Sequence, residues 1–134
     1  MSTFVDTSVV IPLIEMESNH HLACRESVER ALANNGPIVV SDIVYVEMSV
    51  AMKTKADADA VIARFGFVRC GYSDEALYRA SEAFRVYRAN GGPREHLLPD
   101  FLVGALADVE AEELLTRDPA RIRTYFPRVS MIHP

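Results

Sequence analysis

Apolar positions in this chain have two textures: short unbroken runs, and longer stretches where apolar residues recur every three or four positions. The short runs are Phe4-Val5, Ile38-Val39-Val40, Phe67-Val68-Arg69-Cys70, Glu113-Leu114-Leu115-Thr116 and Val129 to His133. They predict strands, and runs with no polar alternation suit parallel strands covered on both faces. Between them the helical period takes over. Thr7 or Ser8 is placed to cap a helix to about Glu15, limited by Pro12, and Ser18 or Asn19 a helix over His20 to Asn34 whose inward face is Leu22, Val28, Ala31 and Leu32. Ser41 or Asp42 opens a helix to about Thr54, and a shorter one follows from about Asp57 to Phe65. Ser73, Asp74 and Glu75 begin a long helix to about Asn90, closed by Gly91-Gly92-Pro93. Pro99 takes the first helical position before Asp100 to Ala107, and Asp118-Pro119 starts a last short helix to about Tyr125.

Two of these helices, around Ile43 to Met52 and Phe101 to Ala107, are apolar nearly all round and are expected to be buried. Strands alternating with helices define an α/β chain with a largely parallel sheet and right-handed crossovers. At 134 residues, without repeat, linker or low-complexity segment, it reads as a single domain over 1–134.

Composition narrows the chemistry. With 49% hydrophobic residues the core needs no disulfide, and Cys24 and Cys70 form no C-x-x-C pair, so a zinc ribbon and a dithiol redox motif are excluded. Both thiols are expected to be buried and reduced. No basic leader precedes an apolar run, and no stretch approaches about 18 apolar residues, so a soluble, cytoplasmic protein without membrane association is expected. Net charge is -5, which on average disfavours a nucleic-acid partner. The distribution says otherwise: ten of the twelve arginines fall between Arg64 and Arg128, and arginine is the better fork for phosphate. A solvated basic surface is the competing reading.

Dinucleotide, Walker, nucleophile-elbow and H-E-x-x-H motifs are all absent. His20-His21 are adjacent and point apart on a helix, and His96 and His133 have no ligand spacing. The acids remain. Asp6, Asp100 and Asp118 each stand at a predicted helix start, where an Asp commonly caps backbone N–H groups. Glu47 stands in mid-helix, and Ile43, Val44, Val50 and Ala51, three and four residues away, cannot pair with it. Its burial calls for protonation, a distant cation such as a tertiary arginine, or a metal, since an unpaired buried charge costs several kcal/mol. In a parallel sheet, Asp6 and Asp118 at strand ends and Asp100 at a helix start can share one rim with Glu47. Carboxylates about 4 Å apart repel by about 4 kcal/mol per pair at an effective dielectric near 20, so such a cluster asks for a cation. All-oxygen ligands favour Mg²⁺ or Mn²⁺ and point to a phosphate-bearing substrate.

At these residues the chain resembles the PIN-domain nucleases, and among them the VapC-type ribonuclease toxins of toxin-antitoxin pairs. The resemblance rests on Phe4-Val5-Asp6-Thr7-Ser8, Glu47, Pro99-Asp100-Phe101, Leu114-Leu115-Thr116-Arg117-Asp118, and the closing Tyr125-Phe126-Pro127 and Ile132-His133-Pro134. It implies a three-layer α/β/α domain with a small, mainly parallel sheet. It also implies a four-carboxylate metal site of Asp6, Glu47, Asp100 and Asp118, supported by the hydroxyls of Ser8 and Thr116, with Thr7 orienting the turn. The implied activity is Mg²⁺-dependent hydrolysis of RNA phosphodiesters, leaving 5'-phosphate and 3'-hydroxyl ends. The implied partners are RNA, a second copy of the chain, and a small VapB-like antitoxin whose C-terminal segment fills a groove near the site. Arg85, Arg88, Arg117 and Arg121 are the candidate RNA contacts. One departure is Gly104-Ala105 where many relatives carry Ala-Ala, a change expected to affect packing and not the acids. An aspartate-phosphorylating hydrolase would want a second Asp at position 8, where this chain has Ser8. A stand-alone nuclease, and an inactive RNA- or protein-binding module on the same fold, compete with the toxin reading.

Overall fold

A computed structural model describes residues 2–93 and 98–134. Its strands are β1 (Thr3–Val5), β2 (Ile38–Ser41), β3 (Val68–Cys70), β4 (Glu113–Leu115) and β5 (Met131–Ile132). Its helices are α1 (Thr7–Ile14), α2 (His21–Asn35), α3 (Asp42–Val50), α4 (Lys55–Phe65), α5 (Asp74–Ala89), α6 (Leu98–Glu110) and α7 (Pro119–Tyr125). The His96 position lies outside the described residues.

All five strands are parallel, in the order β3-β2-β1-β4-β5. β1 and β2 are wholly buried and β4 nearly so, in keeping with Phe4-Val5, Ile38-Val39-Val40 and Leu114-Leu115 at their centres, while the edge strands β3 and β5 stay partly exposed. Helix α1 packs on α2 and α3, and α3 on α4; α5 packs on α6, and α6 on α7. Helix α3 also packs on α6, and right-handed crossovers put helices on both faces of the sheet, because the chain moves outward through β2 and β3 and then crosses back to β4 and β5. The result is the α/β/α layering expected from the sequence.

Several sequence expectations need correction. Helix α3 ends at Val50, not near Thr54, and Thr54 instead caps α4 by accepting from Asp57 N–H at 3.1 Å. Nor is α3 buried all round: Val44 and Met48 face the core, but Val46 is 56% and Val50 83% exposed. Leu22 likewise faces solvent, and the inward face of α2 is Cys24, Ser27, Val28 and Ala31. Hydrophobicity reports what a helix could bury, whereas the number of neighbours decides which faces are covered. Asp6, not Thr7 or Ser8, is the cap residue of α1. Cys24 is buried and free as expected; Cys70, at the end of edge strand β3, is free but only half-buried.

Gly104 shows why a side chain is missing there. A Cβ at this position of α6 would stand 2.5 Å from the Phe126 ring, which is buried and packed edge-on against Phe101 at 6.4 Å. Gly104→Ala gains about 1 kcal/mol of helix propensity. It must also displace a ring with no free space, an overpacking cost of about 1–3 kcal/mol. The expected result is a net loss of stability, read as a lower urea midpoint at unchanged m-value.

Candidate metal centre

The strand order reverses direction between β1 and β4, and in open α/β sheets the carboxyl ends beside such a switch point form a crevice. Asp6 follows β1 directly, and Thr116, Arg117 and Asp118 follow β4. Register holds them together: β1 pairs with β4 to Val5–Leu115, and Asp6 N–H extends the ladder to the Leu115 carbonyl at 2.9 Å.

Asp6 sits at the cap position of α1, and its carbonyl accepts from Val9 and Val10 N–H, but its side chain caps nothing. The carboxylate instead turns into the crevice, where Asp6 is only 6% exposed. Ser8 Oγ donates to Oδ2 at 2.7 Å and Thr116 Oγ1 donates to the same oxygen at 2.9 Å. Each hydroxyl is in turn oriented by a backbone amide of the loop after β4: Arg117 N–H donates to Ser8 Oγ at 3.0 Å and Asp118 N–H to Thr116 Oγ1 at 3.1 Å. Two relays therefore run from the β4–α7 loop to one oxygen of Asp6, and Oδ1 receives neither. Burial raises the Asp6 carboxyl above its ordinary 3.8 and the nearby charge of Asp100 raises it further, while the Ser8 and Thr116 bonds and the Thr7 backbone N–H oppose both.

Asp100 lies in the first turn of α6 and Asp118 at the cap position of α7. Asp118 also makes no side-chain capping bond, so the ordinary reason for an Asp before Pro119 does not apply. Asp100 Oδ2 accepts from Arg121 Nη1 at 2.6 Å across the α6–α7 gap. Glu47 departs from the sequence expectation: it is half-buried, on the side of α3 facing α1, and its Oε1 accepts from Thr7 Oγ1 at 2.7 Å. Thr7 thus does more than orient a turn. It ties the first acid's loop to the second acid's helix, a contact that no local spacing between positions 7 and 47 could have revealed. Of the two, Asp6 is the buried acid and Glu47 is only half-buried.

Among the described residues, no three acidic, His or Cys side chains converge on one point as they stand. Two of the four acids are already bonded, Asp100 to Arg121 and Glu47 to Thr7. In chemistry the set still fits a hard divalent cation, being all oxygen, acidic, and anchored on an Asp6 whose burial and nearness to Asp100 both favour a positive neighbour.

Beside Asp118 opens a cleft of about 710 Å³ lined by Tyr87, Arg117, Arg121 and Tyr125 among others. Of the candidate arginines, Arg117 and Arg121 border this cleft. Arg85 lies over the Tyr78 ring at 5.8 Å and reaches Ser81, and Arg88 reaches the Gly92 carbonyl, so both engage α5 or the residues just after it.

The PIN domain profile matches residues 3–127, which includes all four acids. The chain belongs to the PIN domain family. Its fold is shared with VapBC2 from Rickettsia felis bound to a promoter DNA fragment (TM-score 0.71, 18% identity, 99% of this chain and 98% of that one). It is shared as well with DNA-bound VapBC from Salmonella typhimurium (0.72, 18%, 99% and 98%). A third relative is VapC20 of Mycobacterium tuberculosis, a toxin that cleaves the sarcin-ricin loop (0.63, 19%, 96% and 98%). No curated protein sequence matches the chain. Among the described residues, no helix is long and apolar enough to cross a membrane.

Proposed function

We propose that this PIN domain is a divalent-metal-dependent endoribonuclease acting as the cytoplasmic toxin of a toxin-antitoxin pair. The observation that carries this reading is the double relay onto Asp6 at the switch point. A carboxylate that caps nothing, is buried, and has one oxygen fixed by two oriented hydroxyls is built to present its other oxygen to something. Asp6, Glu47, Asp100 and Asp118 would hold Mg²⁺ or Mn²⁺. When bound, such a metal lowers the pKa of water from about 16 and polarises a phosphodiester.

The chain's own residues supply the rest. Ser8 and Thr116 keep the Asp6 carboxylate in one orientation, so little reorganisation is needed on binding. Thr7 keeps Glu47 beside the β1 end, and Arg117 and Arg121 offer guanidinium groups to substrate phosphates along the cleft. The VapBC complexes among the structural relatives support a small VapB-like antitoxin as partner, and a homodimer is expected alongside it.

The test is cleavage by the full chain, purified free of any partner, on total cellular RNA with millimolar Mg²⁺ or Mn²⁺. New 5'-phosphate ends that vanish with excess EDTA are the expected result. RNA left whole under both metals would favour a binding module on the same fold.

A further inference from the structure

The ion pair between Arg121 and Asp100 joins the two parts of the site, the acids and the cleft. Arg121 Nη1 stands 2.6 Å from Asp100 Oδ2, and the two side chains are 47% and 33% exposed. Arg121 lies on α7, three residues after Asp118 at its cap position, and lines the cleft with Asp118, Arg117 and Tyr125. A cation is therefore already placed on one of the four carboxylates. It is a replaceable one, because half-exposed pairs of this kind are weak and a divalent ion attracts a carboxylate more strongly than a guanidinium does.

Resting on the nuclease reading above, we propose that Arg121 is a built-in competitor for the divalent cation at Asp100, released to a substrate phosphate when the metal binds. In the metal-free chain the guanidinium pairs with Asp100. When a divalent ion takes Asp100, Arg121 is left on the cleft it lines, where a substrate phosphate can take the carboxylate's place. The two ligands then favour each other: phosphate draws Arg121 off Asp100 and eases metal binding, and metal frees Arg121 for phosphate. Such coupling is reciprocal by linkage. It would leave the nuclease weakly loaded until RNA arrives.

Calorimetric titration of Mn²⁺ into the full chain, without RNA, tests the competition directly. Arg121→Gln is expected to tighten Mn²⁺ binding by about threefold to fivefold, the upper part of the range set by a weak ion pair. The same variant should raise KM for RNA cleavage, since the phosphate contact is lost. Arg121→Lys keeps the charge and should return Mn²⁺ affinity to within about twofold of wild type. Arg123→Gln removes an equal charge from α7 at a position with no bond to Asp100, and controls for a general field effect; its affinity should also stay near wild type. An Arg121→Gln affinity that is unchanged or weaker, or an equal gain in Arg123→Gln or Arg121→Lys, would overturn the competition while leaving the nuclease reading intact. Wild-type protein that binds no Mn²⁺ would instead remove the four-carboxylate site and the competition with it.

Discussion

Asp6→Asn is expected to abolish metal-dependent RNA cleavage, by about a thousandfold or more, and at the same time to make the metal-free protein more stable. A thousandfold is about 4 kcal/mol on the barrier, within what the loss of a centrally held metal ligand removes. The rise in stability follows from where Asp6 lies. Its carboxyl is raised above 3.8 by burial and by Asp100, so the folded state prefers it protonated. The favourable contribution is complete below the unfolded value and is lost as pH rises through the folded one, so above it the ionised group weighs against folding. Asn has nearly the same shape and no charge, and its amide can meet the Ser8 and Thr116 oxygens. A gain of about 1–2 kcal/mol is expected, below the several kcal/mol of an unpaired buried charge because two hydroxyls already solvate this one. Melting in EDTA beside an RNA cleavage assay checks both halves. A variant that loses cleavage by unfolding would show a lower melting temperature instead.

The largest loss of stability is expected away from the acids, at Arg79→Met. Asp108 has a side chain only 2% exposed, and it accepts from Arg79 Nε at 3.0 Å and Arg128 Nη2 at 3.1 Å. Arg79 also donates to the Tyr125 carbonyl at 3.0 Å and lies over the Phe126 ring at 4.7 Å, so one guanidinium joins α5, α6 and the end of α7. Removing a partner from a buried pair costs about 3–5 kcal/mol, because the charge left behind is desolvated. Arg128 remains, so about 3 kcal/mol is expected, near 10 °C in melting temperature for a domain of this size. Arg128 is 78% exposed, and Arg128→Met should cost less than about 1 kcal/mol. Comparable losses in the two variants would mean that Arg79 acts only as a surface charge.

This pair was hidden in the sequence, and the reason is general. Arg79 and Asp108 are 29 residues apart on different helices, and nothing local distinguishes Arg79 from the solvated arginines around it. Local signals did carry the architecture: unbroken apolar runs gave the central strands, and Ser41 and Ser73 cap α3 and α5 where their positions predicted. The same signals overstated burial on α3, where Val46 and Val50 face solvent.

The acids could be proposed as a set from the sequence because strand ends in a parallel sheet fall on one rim. Their individual states were not. Glu47, singled out for lacking a local partner, has one in Thr7, whereas Asp6, which looked like an ordinary helix cap, makes no capping bond and carries the burial penalty. Thr116 and Ser8 were expected to support the acids as a consequence of resemblance. The geometry supplies the physical content, since each hydroxyl is aimed at Asp6 by a backbone amide of the loop after β4. Arg121 was expected to meet RNA, and its present bond to Asp100 involves a tertiary approach that no spacing encodes.

The claim on which the rest depends is that these carboxylates form one divalent-metal centre with Asp6 at its middle. Calorimetric titration of Mn²⁺ into wild-type protein and Asp6→Asn, side by side in a chelator-free buffer, tests it most directly. Saturable binding by the wild type at or below millimolar concentration, and none by Asp6→Asn, is the expected result. No binding by the wild type, or equal binding by both, would contradict it.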